Sequence, residues 1–295
     1  MVFVARDNCP VCSSTDITLV LELPFTDIRV RSFVDAYYEG RVPEAVLAAG
    51  NYKIASCNRC SLIYQAEILD SEHMFELYEN WISAEHSLDK KQYADTGLFK
   101  RYSSDIEGLA SMVNKKPRDT RVLEFGSGWG YWARVAQAYG FDVTGIELSR
   151  ARREYSQARC LNVFEKLDDL GEKKFDVIYS NQVFEHVDDP RAVLRQLVRV
   201  LADDGVIKIS VPNGRDVLKK VSRSNWVASK DALHPLEHVN CFTRKSLSSL
   251  AGYEGLALVP AGVSWARCFD QGLVGGLKEI VYSRYFGTSV CMVKS

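Results

Sequence analysis

Three glycines at alternate positions, Gly126, Gly128 and Gly130, close one apolar run and open a helical one. The run before them, Val122-Leu123-Glu124-Phe125, reads as a buried strand. Trp132 to Tyr139 has helical spacing, with Gly140 as its stop. Glycines at such a joint permit a tight turn and bring backbone amides close to a ligand. The rhythm then continues. Phe141 to Glu147 reads as a second strand, Arg150 to Arg159 as a helix and Phe175 to Ser180 as a further buried strand. Pro190 to Leu201 reads as a helix stopped by Gly205, and Val206 to Val211 as the next strand. Strands alternating with short helices predict a mostly parallel α/β sheet with right-handed crossovers, whose ligands sit at the carboxyl ends of the strands.

A dinucleotide site wants G-x-G-x-x-G, but the third glycine comes one residue early and Tyr131 stands where it is needed. Glu124, two residues before the loop, suits a cationic, amino-acid-bearing ligand better than a pyrophosphate. Glu147 ends the second strand, 19 residues after Gly128, where a carboxylate can accept from both ribose hydroxyls. Together, the loop, the acid before it and the acid after it resemble the first motifs of class I S-adenosylmethionine-dependent methyltransferases. Phe175-Asp176-Val177-Ile178, Phe184-Glu185-His186-Val187-Asp188-Asp189-Pro190 and Leu201-Ala202-Asp203-Asp204-Gly205-Val206 resemble later segments of that family.

The resemblance implies a Rossmann-like seven-stranded sheet ending in Leu256 to Val259 and Thr288 to Val293. It also implies a cofactor site of Glu124, Phe125, Gly126, Ser127, Gly128, Gly130, Glu147, Leu148, Asn181 and Gln182. Glu147 would take the ribose, and Leu148 would pack on the adenine.

Eight cysteines are many for a chain without a basic stretch and apolar run at its start, which is expected to be cytoplasmic and reduced. Four fall in two pairs, Cys9-Pro10-Val11-Cys12 and Cys57-Asn58-Arg59-Cys60, with 44 residues between them. Two C-x-x-C turns supply the four thiolates of a tetrahedral structural zinc site and leave no open catalytic position. Ser13 and Ser61 stand where zinc knuckles often carry glycine. A module before the α/β domain resembles bacterial methyltransferases of the sugar C-methyltransferase type.

The expected layout is a zinc-binding module over 1–65, a helical connector or lid over 66–117 and the class I domain over 118–295. The connector's stripes are Met74, Leu77, Tyr78 and Trp81, then Phe99, Tyr102 and Ile106, and they read mainly as core. An acceptor-site insertion is expected at about 213–245, and a helix over 269–286.

Methylation of oxygen or carbon commonly needs a base. In sugar C-methyltransferases a Glu-His pair with a nearby Tyr has that role. Glu237-His238 matches the pair, while Pro235 and Leu236 stand where the Tyr would be. His186, after Glu185, is a second candidate. Adjacent residues share a pocket only if the chain turns.

The expected partner is a small-molecule acceptor, a sugar derivative or natural-product intermediate, bound by a monomer or homodimer. A net charge of −1 disfavours a dedicated nucleic-acid binder, and no apolar run is long enough for a membrane helix. Two other readings stay open: a non-catalytic zinc adaptor and an NAD-dependent oxidoreductase.

Overall fold

The computed structural model describes residues 1–261 and 287–295; the segment 269–286, expected to be helical, and Cys268 lie outside them. The described residues group into two compact units. One takes Met1–Ala84, Phe184–Arg191 and Val211–Tyr253; the other takes Glu85–Val183, Ala192–Ser210 and Glu254–Ser295.

The second unit is built on a seven-stranded sheet. Its elements are β1 (Arg121–Phe125), α1 (Tyr131–Ala138), β2 (Asp142–Ile146), α2 (Arg150–Gln157), β3 (Asn162–Phe164), β4 (Phe175–Asn181), α3 (Pro190–Val200), β5 (Leu201–Ser210), β6 (Leu256–Val259) and β7 (Ser289–Lys294). The strand order is β6-β7-β5-β4-β1-β2-β3. The five strands from β1 to β5 pair in parallel, and β7 runs antiparallel to both neighbours. This is the mostly parallel sheet expected.

The central strands are buried on both faces, which is why they read as continuous apolar runs: Leu123 and Ile178 are fully covered. Helix α1 buries Trp132, Ala133 and Ala136, and Trp132 stacks on Tyr179 at 4.0 Å. One boundary differs from the expectation. The helix α3 stops at Val200, and β5 begins at Leu201 with an irregularity before Val206. Gly205 therefore lies inside a strand rather than capping a helix. Among the other connector residues, Thr96–Ala110 is a helix that buries Tyr102 and Ile106 but leaves Phe99 exposed.

The first unit holds a four-stranded antiparallel sheet in the order Asn240–Cys241, Ile63–Gln65, Asn51–Cys57, Ile17–Pro24. Phe3–Ala5 pairs separately with Glu67–Leu69. The expected short helix appears as Glu44–Ala48, joined by Ile28–Tyr37, which periodicity did not single out. The stripe from Met74 to Trp81 starts as the helix Ser71–Glu76 and widens into a π-turn at Leu77–Trp81, with Leu77 and Trp81 buried. The core of this unit is aromatic: Phe3 stacks on Phe25 at 5.3 Å, and Tyr52 on Trp226 at 6.0 Å. Val217, Val221, Trp226, Leu233 and Leu236 belong to the same core, so the insertion after β5 completes it.

Candidate functional site

The four paired cysteines meet. Sγ of Cys9 lies 3.5 Å from Sγ of Cys60, and Sγ of Cys12 lies 3.4 Å from Sγ of Cys57. All four sulfurs are buried and lie within 4.8 Å of one another. A tetrahedral zinc with Zn–S of ~2.3 Å sets its sulfurs ~3.8 Å apart, so the donor set fits a closed zinc site. The serines after each pair are explained by their backbones. Ser13 (φ 55°) and Ser61 (φ 63°) adopt the left-handed conformation that glycine usually supplies. Their amides close the two knuckles by donating to the carbonyls of Cys9 (2.8 Å) and Cys57 (2.9 Å).

At the carboxyl end of β1 the amides of Gly126 and Ser127 both donate to the Ile146 carbonyl, at 2.9 Å. Gly126 has φ +77°, and a Cβ there would lie 2.3 Å from Val183, so only glycine fits. Gly128 is different: its φ is +54° and a Cβ would meet nothing within 4 Å, so its backbone borders open space. Its amide donates to Oε2 of Glu147 at 2.7 Å, and the Ser149 amide donates to Oε1 at 2.9 Å. A carboxylate has about four acceptor positions, so two remain for ligand hydroxyls.

Glu124 is buried, takes a hydrogen bond from the Ala133 amide and has Oε2 without a partner. Burial pushes its pKa well above the usual carboxyl range. Phe125 ends β1, and the buried Ser127 has no hydrogen-bond partner at Oγ. Leu148 is 73% exposed beside Glu147. Asn181 ends β4, and Gln182 has φ 57° with its backbone amide donating to the Ser210 carbonyl at 2.8 Å. An orphaned acid, a glycine whose backbone borders open space and a carboxylate with spare acceptor positions fit an adenosyl-amino-acid cofactor.

The first unit gathers the second cluster. The segment 234–239 does turn: Leu236 has φ 70°, and the His238 amide donates to the His234 carbonyl at 3.0 Å. His238 and His186 lie edge to face at 4.8 Å, and His234 lies 5.1 Å from His238. Nε2 of His186 is 3.9 Å from Oε1 of Glu185, and its Nδ1 donates to the Glu237 carbonyl at 3.0 Å. The Glu237 carboxylate accepts from the Tyr38 hydroxyl at 3.0 Å and lies 3.4 Å from Nε2 of His234. Burial lowers His238 to about 4 and His234 to about 2, and pushes Glu185 up to about 8. His238, held well below the ordinary value of ~6.5, is therefore a neutral imidazole at physiological pH.

Polar clamps hold these segments. Gln65 Nε2 donates to the carbonyls of His234 (3.1 Å) and His238 (3.0 Å). Arg6 donates to the carbonyls of Val239 and Asp188, each at 3.0 Å, and to Oδ1 of Asn240 at 2.7 Å.

Residues 95–261 match the family model described as "Methyltransferase domain". The chain belongs to this methyltransferase-domain family. It is 31% identical over 127 residues to the glycine/sarcosine/dimethylglycine N-methyltransferase of Actinopolyspora halophila, covering 39% of this chain and 22% of that one. It is 28% identical over 103 residues to a ubiquinone biosynthesis O-methyltransferase of Alkalilimnicola ehrlichii, covering 32% and 42%. The chain thus spans less than half the length of these relatives. The crystal structure of magnesium protoporphyrin IX methyltransferase from Synechocystis, which holds SAH, shares the fold at TM-score 0.50 and 17% identity, covering 77% of this chain and all of that one.

Within this methyltransferase-domain chain, sequence reasoning missed four residues of the second cluster. Tyr38 supplies a phenol beside Glu237, and the ring of Tyr78 lies 6.0 Å from that of His186. Neither stands near position 236 in sequence, where the tyrosine was sought. Glu185 and His234 were visible only as neighbours of other candidates.

Proposed function

We propose that the protein transfers a methyl group from S-adenosylmethionine to a small-molecule acceptor, with a structural zinc bound by Cys9, Cys12, Cys57 and Cys60. The observation that carries this reading is the Gly128 amide on the Glu147 carboxylate, at a loop whose backbone borders open space. Gly126, Ser127, Gly128 and Gly130 would hold the amino-acid end of the cofactor, and Glu147 its ribose hydroxyls. Glu124, Phe125, Leu148, Asn181 and Gln182 would complete that site. The bound cofactor supplies an electrophilic methyl on a sulfonium; the chain supplies alignment.

Proton removal from the acceptor is assigned to the cluster of His186, Glu237 and His238. A neutral imidazole accepts a proton, and the turn at Leu236 puts both members of the Glu-His pair among the same side chains. The relatives' names span N- and O-methylation. A nucleotide sugar, another sugar derivative or a natural-product intermediate remains the acceptor class that the resemblance suggests. The described residues contain no helix long and apolar enough to cross a membrane, and we place the enzyme in the cytoplasm.

The test is Glu147→Ala. Removing hydrogen bonds to a charged acceptor costs ~1.5–3 kcal/mol, so S-adenosylmethionine should bind about 10- to 150-fold more weakly by calorimetry. Unchanged affinity would move the ribose site elsewhere.

A further inference from the structure

A base needs one imidazole, and the second cluster holds more than that. Glu185 is 1% exposed, and its carboxylate oxygens have no hydrogen-bond partner beyond its own backbone amide. A buried carboxyl with so little hydrogen bonding is costly unless it stays protonated or meets a cation. Its Oε1 lies 3.9 Å from Nε2 of His186, and Glu237 adds a like charge nearby. Ligand atoms of Glu185, His186 and His238 lie within 4.8 Å of one another.

The orientation of His186 adds a second observation. Its Nδ1 donates to the Glu237 carbonyl, which fixes the tautomer and leaves the lone pair on Nε2, the nitrogen 3.9 Å from Glu185. Metal-bound histidines are held in this way, one nitrogen tied to a carbonyl and the other turned to the ion. The backbone carbonyl of Asp231 faces His238 in turn. Ligands at ~2.0–2.2 Å from an ion lie about 3–3.5 Å from one another, so small side-chain rotations would close the present spacing.

We propose that Glu185, His186 and His238 bind a divalent transition-metal ion, separate from the ion of the four cysteines. Two imidazoles and one carboxylate suit Mn²⁺, Fe²⁺, Co²⁺ or Zn²⁺. Three protein ligands leave coordination positions open, unlike the closed thiolate site. An ion with open positions can hold an acceptor oxygen and favour its deprotonated form, the proton passing to solvent; with the ion bound, His238 serves as a ligand, and its direct role as base belongs to the metal-free protein. That role rests on the methyl-transfer reading; the binding itself does not.

The test is titration of the as-purified protein with Mn²⁺, a hard ion poorly matched to thiolates, followed by loss of the free-ion electron paramagnetic resonance signal. About one Mn²⁺ per chain should bind to wild type. Glu185→Gln, which preserves the shape of the protonated acid, should fold normally by circular dichroism and weaken Mn²⁺ binding about 100-fold or more. His186→Gln should do the same, with cysteine-bound zinc and SAH affinity unchanged in both. Equal Mn²⁺ binding by wild type and Glu185→Gln, or none by wild type, would overturn the proposal. SAH binding reports separately on the methyl-transfer reading, so the two can fail independently.

Discussion

Cys57→Ser leaves the cysteine site without metal and unfolds the first unit, while SAH binding persists in the second. Structural zinc contributes roughly 10–16 kcal/mol of apparent binding free energy in small zinc-finger peptides, and that energy is folding energy. The whole stability of an ordinary domain is ~5–15 kcal/mol, so a unit organised around four metal ligands does not survive their loss. The damage should reach the second cluster through short chain paths. Arg6 lies three residues before Cys9 and holds the carbonyls of Asp188 and Val239. Gln65 lies five residues after Cys60 and holds those of His234 and His238. Metal analysis should find about one zinc fewer per chain, and hydrogen exchange should show protection lost over 1–84 together with 184–191 and 211–253. A Cys57→Ser protein with wild-type zinc content, or with wild-type protection and no zinc, would contradict a structural metal.

His238→Ala lowers the single-turnover rate of methyl transfer by ~10²–10⁴-fold, the usual contribution of a positioned proton acceptor. Cofactor affinity should change little, since the glycine loop and Glu147 are untouched. His238→Gln sharpens the test. Glutamine keeps some hydrogen bonding but has no basic nitrogen in this range and is a poor metal ligand. If His238 only shapes the loop, the Gln variant retains most activity, and His186 becomes the next candidate. The Gln variant should instead fall with the Ala variant.

Much of this was readable because its causes are local. Strand-loop-helix punctuation at Gly126 to Tyr131 depends on neighbours in sequence, as does the C-x-x-C spacing that turns two sulfurs together. The acid at Glu147 was legible for a similar reason, since a βαβ unit returns the chain to the adjacent strand at a nearly fixed interval. What escaped has nonlocal causes. Tyr38 meets Glu237 across 199 residues, and Arg6 meets Asn240 across 234. No periodicity reports such pairs. The same holds for the insertion after β5, whose Trp226 stacks on Tyr52 in the core of the cysteine-bearing unit. One miss was a local conflict. Gly205 looked like a helix stop, yet tertiary pairing of Leu201 with Phe175 begins the strand before it.

On the proposed function, the glycine loop and Glu147 hold an adenosyl-amino-acid cofactor. Isothermal titration of the full chain with SAH, repeated in the presence of excess NAD⁺, tests it most directly. One SAH should bind per chain, with an affinity that NAD⁺ leaves unchanged. NAD⁺ binding with displacement of SAH, or no SAH binding by the folded protein, would contradict it.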